Sequence, residues 1–270
     1  MEPDLTVARL SLADMLASDR RDAEALALYR GIKRGTPLYF SARLRIAEVL
    51  RETDQLDDAV KELDMLASEW PGRPEPLATK GDFLRSADRF GDAVKAYDGA
   101  IARVGKIEPT DWSLFYARGV ALERSGQWPR AESDFLEALK LSPDQPSVLN
   151  YLGYSWVDRG ENLDKAREMI ERAVALRPND GYIVDSLGWA YFKLGRYGEA
   201  VTQLERAVEL KPEDSVINDH LGDAFWRIGR KLEATFQWQH AKDLGPDPEE
   251  RDKIVKKLES GMPADAHSAG

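Results

Sequence analysis

The sequence has no cysteine and only three histidines in 270 residues. Without cysteine there are no disulfides, thiolate metal sites, thiol nucleophiles or iron–sulfur clusters. His220, His240 and His267 stand at unrelated positions, so no local His–carboxylate spacing points to a metal or a general base, and no cofactor is called for. No run of 18 or more apolar residues occurs, and the opening MEPDLTVARL lacks both a basic flank and an apolar segment, so no membrane insertion is expected of this chain. A chain opening Met1-Glu2-Pro3 reads equally as a natural start and as a boundary within a longer precursor. Basic charge is scarce as well: 38 Lys and Arg stand against 48 Asp and Glu, a net charge of -10, and each half of the chain is acidic. Phosphate backbones demand a concentrated positive surface, and nucleic acid is therefore set aside as a partner. Phosphate loops, G-x-G-x-x-G, H-E-x-x-H, EF-hand loops and G-x-S-x-G are all missing, and with 48 carboxylates no particular pair can be singled out as a catalytic dyad. The composition points away from an enzyme.

What is present is a period. Ala25, Ala59, Ala93, Ala131, Ala166, Ala200 and Ala234 recur at intervals of 34, 34, 38, 35, 34 and 34 residues. Each follows a small residue by twelve positions, namely Ala13, Ala47, Gly81, Gly119, Gly153, Gly188 and Gly222, with thirteen in the fifth unit. Three residues after each small one stands Leu16, Leu50, Leu84, Leu122, Trp156, Tyr191 or Phe225. Four after each recurring Ala stands Tyr29, Leu63, Tyr97, Phe135, Ile170, Leu204 or Trp238. Prolines close all units but the third, at Pro37, Pro71, Pro143, Pro178, Pro212 and Pro246. Spacings of three and four are helical. Each unit therefore reads as two amphipathic helices joined by a tight turn, in which small residues allow close backbone approach and large ones fill the space beside them. GQWP (126–129), DRGEN (158–162), LGRY (194–197) and IGRK (228–231) supply the turn glycines, and Pro129 opens a second helix.

These columns resemble the tetratricopeptide repeat (TPR), most clearly in Val184, Leu187, Gly188, Tyr191, Ala200, Leu204, Ala207 and Pro212. The resemblance implies an all-α, right-handed solenoid of seven helix-turn-helix repeats, 6–39, 40–73, 74–111, 112–145, 146–180, 181–214 and 215–248, in one domain spanning 1–260. Arg9, Arg43, Lys80 and Arg118 depart from it at positions that are usually apolar. Four extra residues around GKIEPTD (105–111) lengthen a helix or loop, and a break in stacking is expected there. Asp247 and Glu250 around Pro248, with Ile254, Val255 and Leu258, predict a capping helix over 247–260. The tail 261–270, small and polar, is expected to be disordered.

In the family's geometry the first helices line a concave wall. Projection places Asn150, Tyr151 and Tyr154 of the fifth repeat there, with Tyr182, Asp185, Ser186, Trp189, Phe192 and Lys193 of the sixth and Asp219, His220, Asp223, Trp226 and Arg227 of the seventh. Phe192 and Trp226 fit equally well as packing against the next first helix; Tyr154 and Trp189 are expected to face the groove. Earlier repeats place Asp14, Arg45, Glu48, Arg51, Asp82, Arg85, Glu123 and Arg124 at the corresponding positions, the pattern of a solvated face. Aromatic anchors with polar handles make the C-terminal wall the better candidate for binding a protein or peptide segment. The family's clamp for a C-terminal carboxylate is not matched: Leu10, Leu44, Ala78, Tyr116 and Asp185 stand where Asn150 has its counterparts, which favours a segment with apolar and some basic side chains.

The runs YLGYSWVDRG (151–160), DSLGWAYFKLGR (185–196) and NDHLGDAFWRIGR (218–230) are similar to those of TPR proteins of the Gram-negative envelope, a group that includes outer-membrane lipoproteins serving as adaptors for carboxyl-terminal processing proteases. That resemblance implies a protein-binding scaffold, an envelope protease as partner and a periplasmic, outer-membrane-associated location, with the cytoplasm as the alternative. A self-assembling or complex-subunit scaffold using its convex face or its ends is the competing function. A monomer is the favoured state.

Overall fold

The computed structural model describes residues 3–263. Among these the regular elements are all helical, and they fall into two compact units that divide between Ser142 and Pro143. The division therefore lies near the end of the fourth repeat, between the helices Trp128–Leu141 and Pro146–Arg159. The tail beyond 263, for which disorder was expected, lies outside the described residues.

The first unit contains α1 (Pro3–Ser18), α2 (Asp22–Arg30), α3 (Tyr39–Glu52), α4 (Leu56–Glu69), α5 (Glu75–Ser86), α6 (Phe90–Ile101), α7 (Trp112–Arg124) and α8 (Trp128–Leu141). The second contains α9 (Pro146–Arg159), α10 (Leu163–Leu176), α11 (Gly181–Lys193), α12 (Tyr197–Leu210), α13 (Ser215–Arg227), α14 (Lys231–Asp243) and α15 (Pro248–Ser260). Odd-numbered helices up to α13 are the first helices of hairpins, and α15 follows the last hairpin.

Each hairpin turn passes through the left-handed region. Gly126, Gly160, Gly195 and Gly229 do so in the last four, but Arg20, Asp54 and Asp88 occupy the same place in the first three. The fifth turn holds two such residues, Gly160 and Asn162, which accommodates its extra residue. Asp180 and Asp214 cap α11 and α13 by accepting backbone N–H groups of Tyr182 and Ile183, and of Val216 and Ile217. At α15 the expected cap is absent: Asp247 makes no side-chain capping bond, and Glu250 pairs with Lys253 instead.

The seven recurring alanines are completely buried. Opposite the small first-helix residues lie the large second-helix ones. A Cβ added at Gly81 would come within 2.5 Å of Tyr97, one at Gly119 within 2.7 Å of Phe135, one at Gly188 within 2.5 Å of Leu204 and one at Gly222 within 2.4 Å of Trp238. At these four hairpins the helix separation leaves no room for a methyl group on the first helix.

The four departures from apolar character each find a polar partner. Arg9 donates to the Gly31 carbonyl, Arg43 pairs with Glu62, Lys80 with Asp64, and Arg118 with both Asp98 and Asp134 at 2.7 Å. In the first unit, ionic links thus replace part of the apolar contact between helices. Asn218 is a further polar substitution that the sequence columns did not single out; it is fully buried and donates to the Pro212 and Asp214 carbonyls. The insertion forms a loop ending in a 3-10 turn at Pro109–Asp111, where the Glu108 N–H donates to Asp111 at 2.8 Å.

Candidate functional site

In the second unit the first helices α9, α11 and α13 lie side by side, each held by its own second helix. The wall they form is much less open than helical projection predicts. Asp185, Ser186, Asp219, His220 and Asp223, expected at the surface, are buried, because adjacent first helices and α15 pack over them. Ser186 turns back on its own helix and donates to the Tyr182 carbonyl at 2.9 Å. Asn150, Tyr151, Tyr154, Trp189, Phe192, Lys193, Trp226 and Arg227 are half-buried, and Tyr182 is exposed with Lys211 above its ring.

His220 and Asp185, 35 residues apart, meet at 2.9 Å between His220 Nδ1 and a carboxylate oxygen. The contact has no local signature in the sequence because it joins two repeats. Burial disfavours the imidazolium, but the charge and hydrogen bond of Asp185, helped by Asp219 and Asp223, outweigh it and hold the His220 pKa above its ordinary value. Trp189 stacks on His220, with centroids 4.1 Å apart, and on Phe192, at 4.7 Å, while Lys193 lies 5.5 Å from the Trp189 ring. Trp189 is consequently a structural bridge as well as a wall residue.

The second cluster involves a residue that projection missed. Lys257 of α15 bonds Asp219 at 2.7 Å and Asp223 at 2.8 Å, and Asp223 also accepts the indole N–H of Trp238. Burial raises the Asp223 carboxyl and Lys257 opposes that shift, while its two carboxylate partners raise Lys257 against its own burial. A signal existed in the cap sequence, Ile254-Val255-Lys256-Lys257-Leu258, in which a lysine sits within an apolar stripe. Trp226 packs on Trp238 with Lys231 3.5 Å above its ring, and Arg227 donates to the Pro263 carbonyl. Trp226 thus packs within its own hairpin. Phe192 lies against Trp189 and Tyr197 at the edge of the core formed by α12–α15.

What remains accessible is the α9–α11 part of the wall. Burial, followed by Asp185, Asp158 and Glu250, pushes the Tyr154 hydroxyl up to about 12, so it stays protonated as a hydrogen-bond donor. Asn150 holds a buried side-chain oxygen that no protein group in the described residues satisfies, and Asp219 holds another. Among the described residues no group of three or more His, Asp or Glu is placed to hold a metal ion, and no helix is long and apolar enough to cross a membrane.

Three family profiles match successive stretches: a tetratricopeptide repeat-like domain over 33–111, a tetratricopeptide repeat over 79–146 and 116–181, and a TPR repeat over 188–229. The chain belongs to the tetratricopeptide repeat family. A TPR repeat-containing protein of Pseudomonas aeruginosa is 31% identical over 187 residues, which are 68% of this chain and 31% of that protein. The chain therefore spans about a third of that relative's length. A solved tetratricopeptide repeat protein from Parabacteroides merdae superposes with a TM-score of 0.70 at 14% identity, covering 94% of this chain and 99% of its own. The TPR protein YrrB, described as having an unusual peptide-binding site, superposes with a TM-score of 0.55 at 20% identity over 72% of this chain and 97% of its own. These likenesses establish the TPR fold.

Proposed function

We propose that the protein is a non-catalytic scaffold that holds a segment of another protein against the first-helix wall of its second unit. The observation that carries this reading is the combination on α9 and α11 of half-buried Tyr154 and Trp189 with the unsatisfied buried oxygen of Asn150. Aromatic side chains already fixed by packing lose little rotamer freedom on binding, and a buried acceptor without a donor gains most from meeting one. Asp158, Asp185 and Glu250 give the place a negative potential, which favours a segment bearing lysine or arginine among apolar residues. Within this class, the likeness of 151–160, 185–196 and 218–230 to envelope-associated repeat proteins favours an adaptor for a carboxyl-terminal processing protease on the periplasmic side of the outer membrane.

The test is a pull-down from a Gram-negative envelope extract with the parent and with Asn150→Ala/Tyr154→Ala, after equal helicity is established. Loss of one defined protein with the variant supports the wall as the site; equal retention moves the interaction elsewhere. Trp189 is left intact because its stacking on His220 ties it to stability.

The self-assembling alternative has an observation of its own. Leu232 and Phe236 on α14 are 88% and 70% exposed, as are, to lesser degree, Leu12 and Met15 on α1. Light scattering separates the readings: a mass that rises with concentration and falls in Phe236→Glu favours assembly through these faces.

A further inference from the structure

Of the six prolines that close repeats, only Pro178 and Pro212 follow a cation, Arg177 and Lys211. The repeat between them is also the only one that opens on glycine, Gly181. The structure brings the three residues together. The start of α11 lies so close to the end of α12 that a Cβ at Gly181 would come within 2.6 Å of the Lys211 stem. Glycine therefore lets that stem lie along the first turn of α11 and carries its ammonium to 5.1 Å from the ring centre of Tyr182. Arg177 reaches the same place from the end of α10. The result is an open cleft of about 520 Å³ lined by Arg177, Pro178, Asn179, Asp180, Tyr182 and Lys211. No lining residue belongs to α9 or α13, so the cleft sits at the loop edge of the hairpins and not between adjacent first helices.

Charge and exposure restrict what the cleft can take. Basic residues after a helix commonly offset its carbonyl end, yet among the described residues neither Arg177 nor Lys211 donates to a carbonyl or forms an ion pair. Asp180, the one carboxylate in the lining, is committed to capping α11 through the Tyr182 and Ile183 N–H groups. Arg206 donates to the Pro178 carbonyl and adds a third cation to this edge. Apolar surface flanks the cations: Leu176, Tyr182 and Val216, at the junctions of the fifth to seventh repeats, are 44%, 54% and 46% exposed. An exposed aromatic beside arginine is the composition of a protein-binding surface. An extended anionic surface such as a membrane would also meet the rest of a chain of net charge -10, whereas a short acidic segment meets only the cleft, since charges are screened beyond about 8 Å.

We propose that this loop edge docks an acidic segment of a partner protein, with carboxylates on Arg177 and Lys211 and apolar side chains between them on Tyr182. The chemistry is opposite to that of the α9–α11 wall, where the potential is negative, and the two readings stand or fall separately. Its physical basis is the pairing of two uncompensated cations, which select the charge, with a fixed aromatic ring that rewards burial of an apolar neighbour.

The probe is the capped peptide acetyl-Glu-Leu-Glu-Phe-Glu-amide, titrated into the ¹⁵N-labelled chain and followed by amide shifts. Shifts at Asn179, Tyr182 and Lys211 with millimolar affinity are expected. Two control peptides, acetyl-Gln-Leu-Gln-Phe-Gln-amide and acetyl-Glu-Gly-Glu-Gly-Glu-amide, should each bind roughly tenfold more weakly or less. Arg177→Glu/Lys211→Glu, a change at two exposed side chains, removes the response. The proposal is overturned by an absence of shifts around Tyr182 at tens of millimolar peptide, by equal response of the parent to the probe and either control, by shifts centred on Tyr154 and Trp189 instead, or by an undiminished response in the folded charge-reversal variant. Binding of the parent to phosphatidylglycerol vesicles without a response to the peptide assigns the cations to a lipid surface and overturns it equally. The peptide comparison uses only the parent and so decides the matter even where a variant fails to fold.

Discussion

Trp238 donates its indole N–H to the buried carboxylate of Asp223 at 2.9 Å. Equivalent places in the first and third repeats hold the same arrangement, from Tyr29 to Asp14 at 2.6 Å and from Tyr97 to Asp82 at 2.8 Å. A first-helix acid thus accompanies a second-helix aromatic with a polar edge, satisfying a donor that the close packing of the hairpin would otherwise strand. Asp223→Ala should cost about 2–3 kcal/mol in urea denaturation, and Tyr97→Phe, which keeps the ring and leaves Asp82 paired to Arg85, about 1 kcal/mol. Equal losses for the two would contradict this account.

Lys257 is the cation between Asp219 and Asp223, and all three side chains are largely buried. Lys257→Met leaves two carboxylates in a poorly solvated place, at a cost of about 3–5 kcal/mol. Amide exchange across α15 should rise more than across α11. A variant within 1 kcal/mol of the parent would mean that solvent reaches these acids freely.

The His220–Asp185 pair makes stability depend on pH with a definite sign. A histidine whose folded pKa is raised contributes stability that is fully present below its unfolded pKa, about 6.5, and that is lost as pH rises through the folded value. Denaturation midpoints of the parent should therefore fall, relative to those of His220→Gln, on moving from acidic conditions to above neutrality. Parallel pH profiles for the two proteins would remove the pair as their source.

Gly188 and Gly198 make a controlled comparison. An added Cβ at Gly188 meets Leu204 at 2.5 Å, whereas at Gly198 it meets nothing within 4 Å. Gly188→Ala should destabilise by roughly 1–3 kcal/mol through overpacking. Gly198→Ala, at the start of α12, should be neutral or stabilising by up to about 1 kcal/mol. Thermal melts of both variants read the difference directly.

Arg118 tests whether the first unit needs charge where the second uses leucine. Arg118→Leu strands the buried Asp134 carboxylate and should cost about 3 kcal/mol or more, while Arg118→Leu/Asp134→Leu should recover most of that loss, since a buried ion pair is replaceable by apolar groups of similar volume. Failure of the double variant to recover would assign Arg118 a role beyond pairing with Asp134.

The hairpins were legible because their determinants are short-range. Ala200, in the first turn of the second helix, and Leu204, which meets Gly188, impose helical spacing and close approach on any chain that folds at all, and the period repeats the message seven times. The first three turns were not signalled by glycine, since Arg20, Asp54 and Asp88 take the left-handed conformation under the constraint of the helices on either side. The exposure of the candidate wall residues was not legible. Projection places Asp185 and Asp223 at the surface, but whether a helix side meets solvent depends on neighbours contributed from elsewhere in the chain.

By itself, then, the sequence determined the repeat, the helix pairing, the all-helical TPR fold and the absence of thiol chemistry, because each follows from residue type and spacing within about 34 positions. Only the tertiary structure decided which polar groups meet. His220 finds Asp185 across 35 residues, and Lys257 reaches back 38 to Asp219. Such contacts are set by how helices stack, and stacking places side chains from different repeats within a few ångströms without leaving any periodic trace in the order of residues.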